Sequence, residues 1–372
     1  MSEALFFYGP LCHAPLRAVV LGLGHSVAEA RLAGFRAGRV TDGDHPAIVP
    51  GTGEVSGLLV DGLDEKARAR AEFFAGALGY VGRPVKVRTG RLGGAAARAY
   101  VPAGDPPELD GPWDLAEWSE TMGPIWVGAA REAMESVGQV SAQAMAGRWP
   151  TTRLRAATRL RAAAGAGTEI RADLTTAQDV EIVKPRRPYT EYFSLEDPDL
   201  RFRRFDGGWS NTVRRAAFVG GDAATVLPYD PVLDSVLVVE QFRTGPLMRG
   251  DPRPWSLEPI AGRIDPGENP EQTARREAME EAGIDLGTVH RVADYYPTPG
   301  AVSEFLYSFV AEADLAGRGG AVGGEADEEE DIRTHVVPFE TLMELIVSGE
   351  AGTGPLILSG YWLALNRLRL WG

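Results

Sequence analysis

The stretch GRIDPGENPEQTARREAMEEAGI, Gly262 to Ile284, leaves the chain least freedom, because a glycine-bounded loop runs directly into a short acidic helix. Asn269 followed by Pro270 reads as an N-cap and first helical residue, and Gly283 as the C-terminal stop, so the spacing predicts a helix over about 270–282. Ala274, Ala278 and Ala282 recur every four residues and make a narrow face that can press closely on a sheet. Glu277 and Glu281, also four apart, share another stripe, with Glu280 beside them. Like charges at that spacing repel. A solvated acidic helix is one reading of this stripe. The other is a divalent cation held between the carboxylates, since hard cations such as Mg²⁺ take carboxylate oxygens together with substrate phosphates.

The whole pattern decides between the two. Gly262, five residues, Glu268, seven residues, then REAMEEAGI from Arg276 to Ile284 resembles the signature of the Nudix hydrolases at every fixed position, with a small Ala278 where a bulky apolar residue is usual. The resemblance implies metal-assisted cleavage of a nucleoside diphosphate linked to another moiety. It also implies roles. Glu277 and Glu281 match metal-binding carboxylates, the backbone carbonyl of Ala261 a further ligand, and Glu280 a support acting through a second metal or water. Arg276 and Glu268 match a structural ion pair that fixes loop against helix. The expected cofactor is Mg²⁺, with Mn²⁺ as a substitute.

At 372 residues the chain is too long for one ordinary domain and fits two. A hydrophobic fraction of 44% and a charged fraction of 24% are those of a soluble globular protein. No run of about 18 or more apolar residues appears, and MSEALFFYG has no basic residues before its apolar stretch, so a cytoplasmic protein without a membrane partner is expected. The single Cys12 excludes an internal disulfide framework. Residues 1–175 carry 19 basic and 19 acidic side chains, whereas 176–372 carry 19 and 33, so the net charge of −14 belongs to the half with the acidic helix. Such a surface disfavours nucleic acid, which needs a basic footprint, and suits a small phosphorylated substrate arriving with a cation.

Along the chain, ALFFYGPLCHAPLRAVVLG reads as a strand to about Tyr8, a turn at Gly9-Pro10 and a helix ending near Gly22. Short strands are expected at 55–60, at 83–90 and in AARAYVP, with a helix in EKARARAEFFAGAL. From about Trp113 to Ala166 the chain turns helical and rich in Ala and Arg, and AGAGTEIRADLTTAQDV reads as a linker. Beyond about 178 a strand-rich meander is followed by AATVLPYD and SVLVVEQFR, continuous apolar runs that read as strands buried on both faces.

Within the Nudix family three stretches resemble the ADP-ribose pyrophosphatases: VEQFR at 239–243 leading into PWSLEPIAGRID at 254–265, Pro299 sixteen residues beyond Gly283, and FSLEDPDLRFRRFDGGWSNTVRR at 193–215. That likeness implies a small nucleoside diphosphate substrate and a homodimer formed through the C-terminal domain. Arg215 and Arg243 match arginines that hold the substrate, and Tyr192 falls where an aromatic stacks on adenine. Glu304 follows the Pro-Gly loop and is expected at substrate or metal. The acid run Glu325 to Asp331 follows a glycine-rich segment; the general base is matched to Glu328, with Glu330 next.

FFYGPL at 6–11 resembles the Tyr-Gly-Ser/Thr-Leu opening of the γ-glutamylcyclotransferase-like fold. The family's Leu-Asp-x-x-Glu-Gly aligns with Ala71 to Gly76, which places Ala75 at the catalytic glutamate and leaves Glu72 as the nearby acid. The expected fold class is therefore α+β in two domains. Residues 1–108 form a γ-glutamylcyclotransferase-like β-barrel with helices, 109–177 a helical extension and linker, and 178–372 a Nudix α/β/α sandwich with a mixed sheet. The fusion resembles bacterial proteins associated with tellurite resistance. The expected function is hydrolysis of ADP-ribose to AMP and ribose 5-phosphate beside a non-catalytic N-terminal module. The rivals are another substrate (a sugar nucleotide, NADH or a coenzyme A derivative), a second, cyclotransferase activity, and a non-enzymatic nucleotide sensor.

Overall fold

The computed structural model describes residues 4–41, 43–90, 93–164, 169–324 and 330–371. They form two compact units, residues up to Asp173 with Thr190–Phe193, and Leu174–Tyr189 with Ser194 onward.

The first unit is a closed barrel with helices. Its strands are β1 (Ala4–Phe7), β2 (Ser26–Arg39), β3 (Pro46–Asp61), β4 (Tyr80–Thr89) and β5 (Gly93–Pro102), in the order β1-β3-β2-β4-β5, closed by a parallel pairing of β1 with β5. The helices are α1 (Ala14–Leu21), α2 (Glu65–Ala77), α3 (Leu115–Thr121), α4 (Gly123–Glu135) and α5 (Ala142–Ala163). Asp64, Asp114 and Ser141 start α2, α3 and α5 by accepting from backbone N–H groups two or three residues on, as good N-caps do. Strand β2, 14 residues long, and the early half of β3 go beyond the short strands legible in the sequence. Most of β2 is exposed, so it lacks the strict alternation that marks a half-buried strand, and its register shifts where Gly34 takes φ 83. The helical stretch after residue 108, read as an extension and linker, is built into the same unit through Asp173. Trp118, Trp126 and Trp149 from α3, α4 and α5 share one core with Leu5, Phe7 and Phe74.

The second unit begins with α6 (Thr176–Asp179) and short strands: β6 (Val180–Lys184), β7 (Tyr189–Thr190, which straddles the division), β8 (Ser194–Glu196), β9 (Asp199–Phe202), β10 (Val213–Arg214) and β11 (Ala217–Val219). Its centre is an eight-stranded mixed sheet of β12 (Ala223–Asp230), β13 (Ser235–Phe242), β14 (Trp255–Glu258), β15 (Ile260–Arg263), β16 (Val289–Tyr295), β17 (Leu306–Glu312), β18 (Val322–Gly323) and β19 (Ile332–Pro338). Strands β12 and β17 pair in parallel and the other pairings are antiparallel. Every residue of β12 is buried, as its apolar run requires of a strand covered on both faces. Helix α7 (Thr244–Arg249) follows β13. Helix α8 (Pro270–Ala282) packs Ala274 and Ala278 into the core on one face with Val226, Leu237 and Ile260. Helices α9 (Phe339–Ser348) and α10 (Gly354–Trp371) cover the other face, around Leu227, Val236 and Val238. Among the described residues no helix is long and apolar enough to cross a membrane.

Candidate active site

Helix α8 is fixed at both ends. Asn269 Oδ1 accepts from Gln272 N at 3.0 Å and Gln272 Oε1 accepts from Asn269 N at 2.9 Å, a reciprocal capping box. Gly283 closes the helix in the left-handed region at φ 61, which a side chain would oppose. With the alanines in the core, Glu281 is 3% exposed. Strand β15 meets the helix at Gly262, where a Cβ would stand 1.7 Å from Glu277 Oε1, so only hydrogen fits against this carboxylate. At Gly323 of β18 a Cβ would lie 2.4 Å from the backbone oxygen of Glu281.

Arg276 gathers the acids. Its Nε donates to Glu268 Oε1 at 3.0 Å and its Nη1 to Glu277 Oε1 at 2.8 Å and Glu280 Oε2 at 2.7 Å, while Nη2 reaches Arg263 O at 3.2 Å. Glu268 also accepts from Thr273 Oγ1 at 2.7 Å. Burial works against the Arg276 charge, but Glu268, Glu277 and Glu280 together raise its pKa.

Burial, with Glu280 and Glu330 as like charges and Arg276 opposing them, pushes the Glu277 carboxyl up to about 7. Burial and the charges of Glu277 and Glu330 push Glu281 up to about 9, against the pull of the Ala261 backbone N–H and of Arg243. Glu281 Oε2 is buried and has no hydrogen-bond partner among the described residues. A buried carboxylate without a donor, beside a second half-buried carboxylate, is costly as an anion, and is relieved either by a proton or by a cation bound between the two. These hard oxygen donors fit a divalent metal such as Mg²⁺.

Arg243 stands at the end of β13 and is held by Glu258 in a bidentate pair at 2.9 and 2.8 Å. It reaches electrostatically both Glu281 and Glu304. Burial raises the pKa of Glu304, Arg263 and Arg243 oppose that rise, and Asp222 and Glu258 add to it. Glu277, Glu280, Glu281, Glu304, Glu330, Arg243 and the backbone of Ala261 therefore belong to one electrostatically coupled set. Arg215 is exposed between β10 and β11, with Nη1 on Arg214 O at 3.1 Å. Tyr192 is 66% exposed and lies in Thr190–Phe193, which belongs to the first unit, where Arg148 Nη2 meets Glu191 Oε1 at 2.5 Å. Glu325, Asp327, Glu328 and Glu329 lie outside the described residues, so the base matched to Glu328 has no place in this geometry.

Sequence reading did not find Glu258, Arg263, Asp222 or Gln241. Gln241 is 6% exposed, its Nε2 has no partner among the described residues, and strand alternation puts it on the face of Val239 and Arg243. A lone amide inside the apolar run VLVVEQFR was the available signal.

In the first unit Ala75 is buried and lines a cavity at the Gly9-Pro10 turn, whereas Glu72 is exposed and does not reach that lining. The acid that alignment left nearest to the family's catalytic position is therefore turned away from it.

Comparison with known proteins agrees with this division. Residues 221–356 match the NUDIX domain and residues 5–120 match Gamma-glutamyl cyclotransferase, AIG2-like. The chain is 39% identical over 192 residues to an ADP-ribose pyrophosphatase of Escherichia coli (strain K12), covering 52% of this chain and 91% of that protein. It is 36% identical over 195 residues to an ADP-ribose pyrophosphatase of Haemophilus influenzae, covering 52% and 89%. It is 33% identical over 191 residues to a GDP-mannose pyrophosphatase of Enterobacter sp. (strain 638), covering 51% and 97%. With the signature residues assembled on α8 and β15 and these relatives matched over nearly their whole length, the chain belongs to the Nudix hydrolases, with an AIG2-like γ-glutamyl cyclotransferase domain in its N-terminal half.

Proposed function

We propose that the protein hydrolyses the diphosphate of ADP-ribose, or of a closely similar nucleoside diphosphate sugar, using Mg²⁺ held by Glu277, Glu281 and the Ala261 carbonyl, with Glu280 in support. The observation that carries this reading is Glu281, a buried carboxyl beside Glu277 with an oxygen that has no partner among the described residues. When bound, the cation neutralises the diphosphate and stabilises charge that develops in the transition state. The protein's own groups do the rest. Arg276 holds Glu277 and Glu280 in place from behind. Arg243, oriented in advance by Glu258, and the exposed Arg215 bind phosphate oxygens. Glu304 takes a polar contact with the substrate. Glu328 removes a proton from water, with Glu330 as the second choice. The water oxygen bonds to one phosphorus, the bridging oxygen leaves with the other, and the products from ADP-ribose are AMP and ribose 5-phosphate.

A homodimer through the C-terminal unit fits the packed, half-exposed aromatics Phe242 and Trp255, 46% and 57% exposed. The N-terminal unit is proposed to be non-catalytic, because Ala75 stands where a carboxylate is needed. A GDP-sugar substrate is the second reading, favoured by the likeness to GDP-mannose pyrophosphatase. Product analysis on a panel of ADP-ribose, GDP-mannose, NADH and coenzyme A with Mg²⁺ separates the two. ADP-ribose is expected to give the highest kcat/KM; no cleavage of any of the four would sink the proposal.

A further inference from the structure

Gln241 is a buried amide that the site described so far leaves unused. It is 6% exposed, and its Nε2 has no hydrogen-bond partner among the described residues. Glu281 Oε2, an acceptor just as buried, lacks a partner in the same way. An unpaired donor destabilises a core, and an apolar residue of the same shape would remove that cost. Gln241 therefore has to be explained by something other than packing.

The topology brings the two unpaired groups together. Helix α8 crosses the sheet, with Glu277 against Gly262 of β15 and, one turn on, the backbone of Glu281 against Gly323 of β18. Strand β13 lies between these ends, because the sheet runs β12-β13-β19-β18 and β15 joins it at β12. Leu237 and Val239 of β13 pack in the core beneath α8 with Ala278, whereas Val236 and Val238 face α9 and α10. Alternation turns Gln241 to the α8 face, between Val239 and Arg243, whose charge reaches Glu281. Arg243 N donates to Pro254 O at 2.8 Å, yet the guanidinium pairs with Glu258, which is level with Val239. That ion pair runs along the same face past Gln241 and shields it from water.

A carboxylate offers about four acceptor positions. At Glu281 the Ala261 N–H occupies one, and a divalent cation would occupy another. A donor on the remaining side fixes how the carboxylate points, and metal-ligating carboxylates are as a rule hydrogen-bonded in this way. We propose that Gln241 is a positioning residue for Glu281, its Nε2 donating to the Glu281 carboxylate when the cation is bound. The amide is kept in the core for that bond, and it touches neither substrate nor cation. The inference rests on the assignment of Glu281 to the metal and extends the site beyond the signature loop and helix.

The test uses the full chain with Mn²⁺ as probe, its binding read by electron paramagnetic resonance, and Gln241→Met, which keeps the length of the side chain and removes the donor. Mn²⁺ affinity is expected to fall about 10–100-fold. The Mg²⁺ concentration for half-maximal turnover of ADP-ribose should rise by the same factor. In EDTA the variant's thermal midpoint is expected to equal that of the wild type or exceed it by up to about 4 °C, because an unpaired buried donor is gone. A weaker metal site in a protein no less stable without metal is a combination that a packing role does not produce. Gln241→Leu, with a smaller side chain, takes its place if Gln241→Met does not fold. Wild-type Mn²⁺ affinity in a folded variant, a midpoint lowered in EDTA, or failure of both variants to fold would overturn the inference. A wild type that binds no Mn²⁺ would sink the assignment of Glu281 to the metal, and the inference with it.

Discussion

Gly262→Ala puts the contact between β15 and α8 to a direct trial. The added Cβ would stand 1.7 Å from Glu277 Oε1, 1.9 Å from Cδ and 2.6 Å from Cγ. Non-bonded carbon contacts need about 3.5 Å, so the carboxylate must retreat by roughly 1.5 Å or more. Leaving its rotamer costs about 0.5–1.5 kcal/mol. The half-exposed hydrogen bond to Arg276, 2.8 Å long, is lost as well, worth about 0.5–1 kcal/mol after discounting for solvent. The sum, about 1–2.5 kcal/mol, corresponds to a fall in Tm of roughly 2–10 °C for a unit of this size. Activity suffers more than stability, because moving one reacting-site group by an ångström can cost about a hundredfold. The assays are thermal unfolding and Mg²⁺-dependent turnover of ADP-ribose. Wild-type kcat with an unchanged metal requirement in a folded Gly262→Ala protein would refute the placement of Glu277 at the reacting centre.

Other perturbations follow the same geometry. Arg276→Gln removes the hub of Glu268, Glu277 and Glu280; with Arg276 about a third exposed, a loss of about 1–3 kcal/mol is expected in denaturant unfolding. Glu132→Leu strands the fully buried Arg155, whose Nε lies 3.0 Å from Glu132 Oε1, and should cost the first unit about 3–5 kcal/mol, measured by the same method. For acid stability, burial tends to raise Asp44, but His45, Arg153 and Trp126 outweigh it and hold the carboxyl below its usual range. A depressed folded pKa contributes stability above the unfolded value of about 3.9 and loses it as pH falls through the folded one. Asp44→Asn should therefore be less stable at pH 7 and show a shallower loss below about pH 4; an unchanged acid limb would contradict this.

Helix α8 could be read in advance because its determinants are local: Asn269 and Pro270 at one end, Gly283 at the other, and an alanine every fourth residue between them. The signature acids could be named for the same reason. What could not be read depends on register between distant segments. Glu258 lies fifteen residues from Arg243 and meets it because β13 pairs antiparallel with β14. Gly262 matters through a side chain on α8 rather than through its own turn. The same limit hid β2, whose exposed face has no apolar rhythm. The helices after residue 108 are legible as helices, but not the packing of their buried faces into the barrel core, which sets them in the first unit rather than in an extension. Tyr192 was named from its match to a stacking aromatic of the ADP-ribose pyrophosphatases, and its segment belongs to the first unit.

The most direct measurement is the turnover of ADP-ribose by Glu281→Gln, with circular dichroism confirming the fold. Glutamine keeps the shape and removes the charge, so the buried Oε2 position loses its affinity for a cation. The expected result is a loss of about a hundredfold or more in kcat at saturating Mg²⁺, with native secondary structure. Undiminished turnover by the folded variant would contradict the assignment of this carboxylate to the metal.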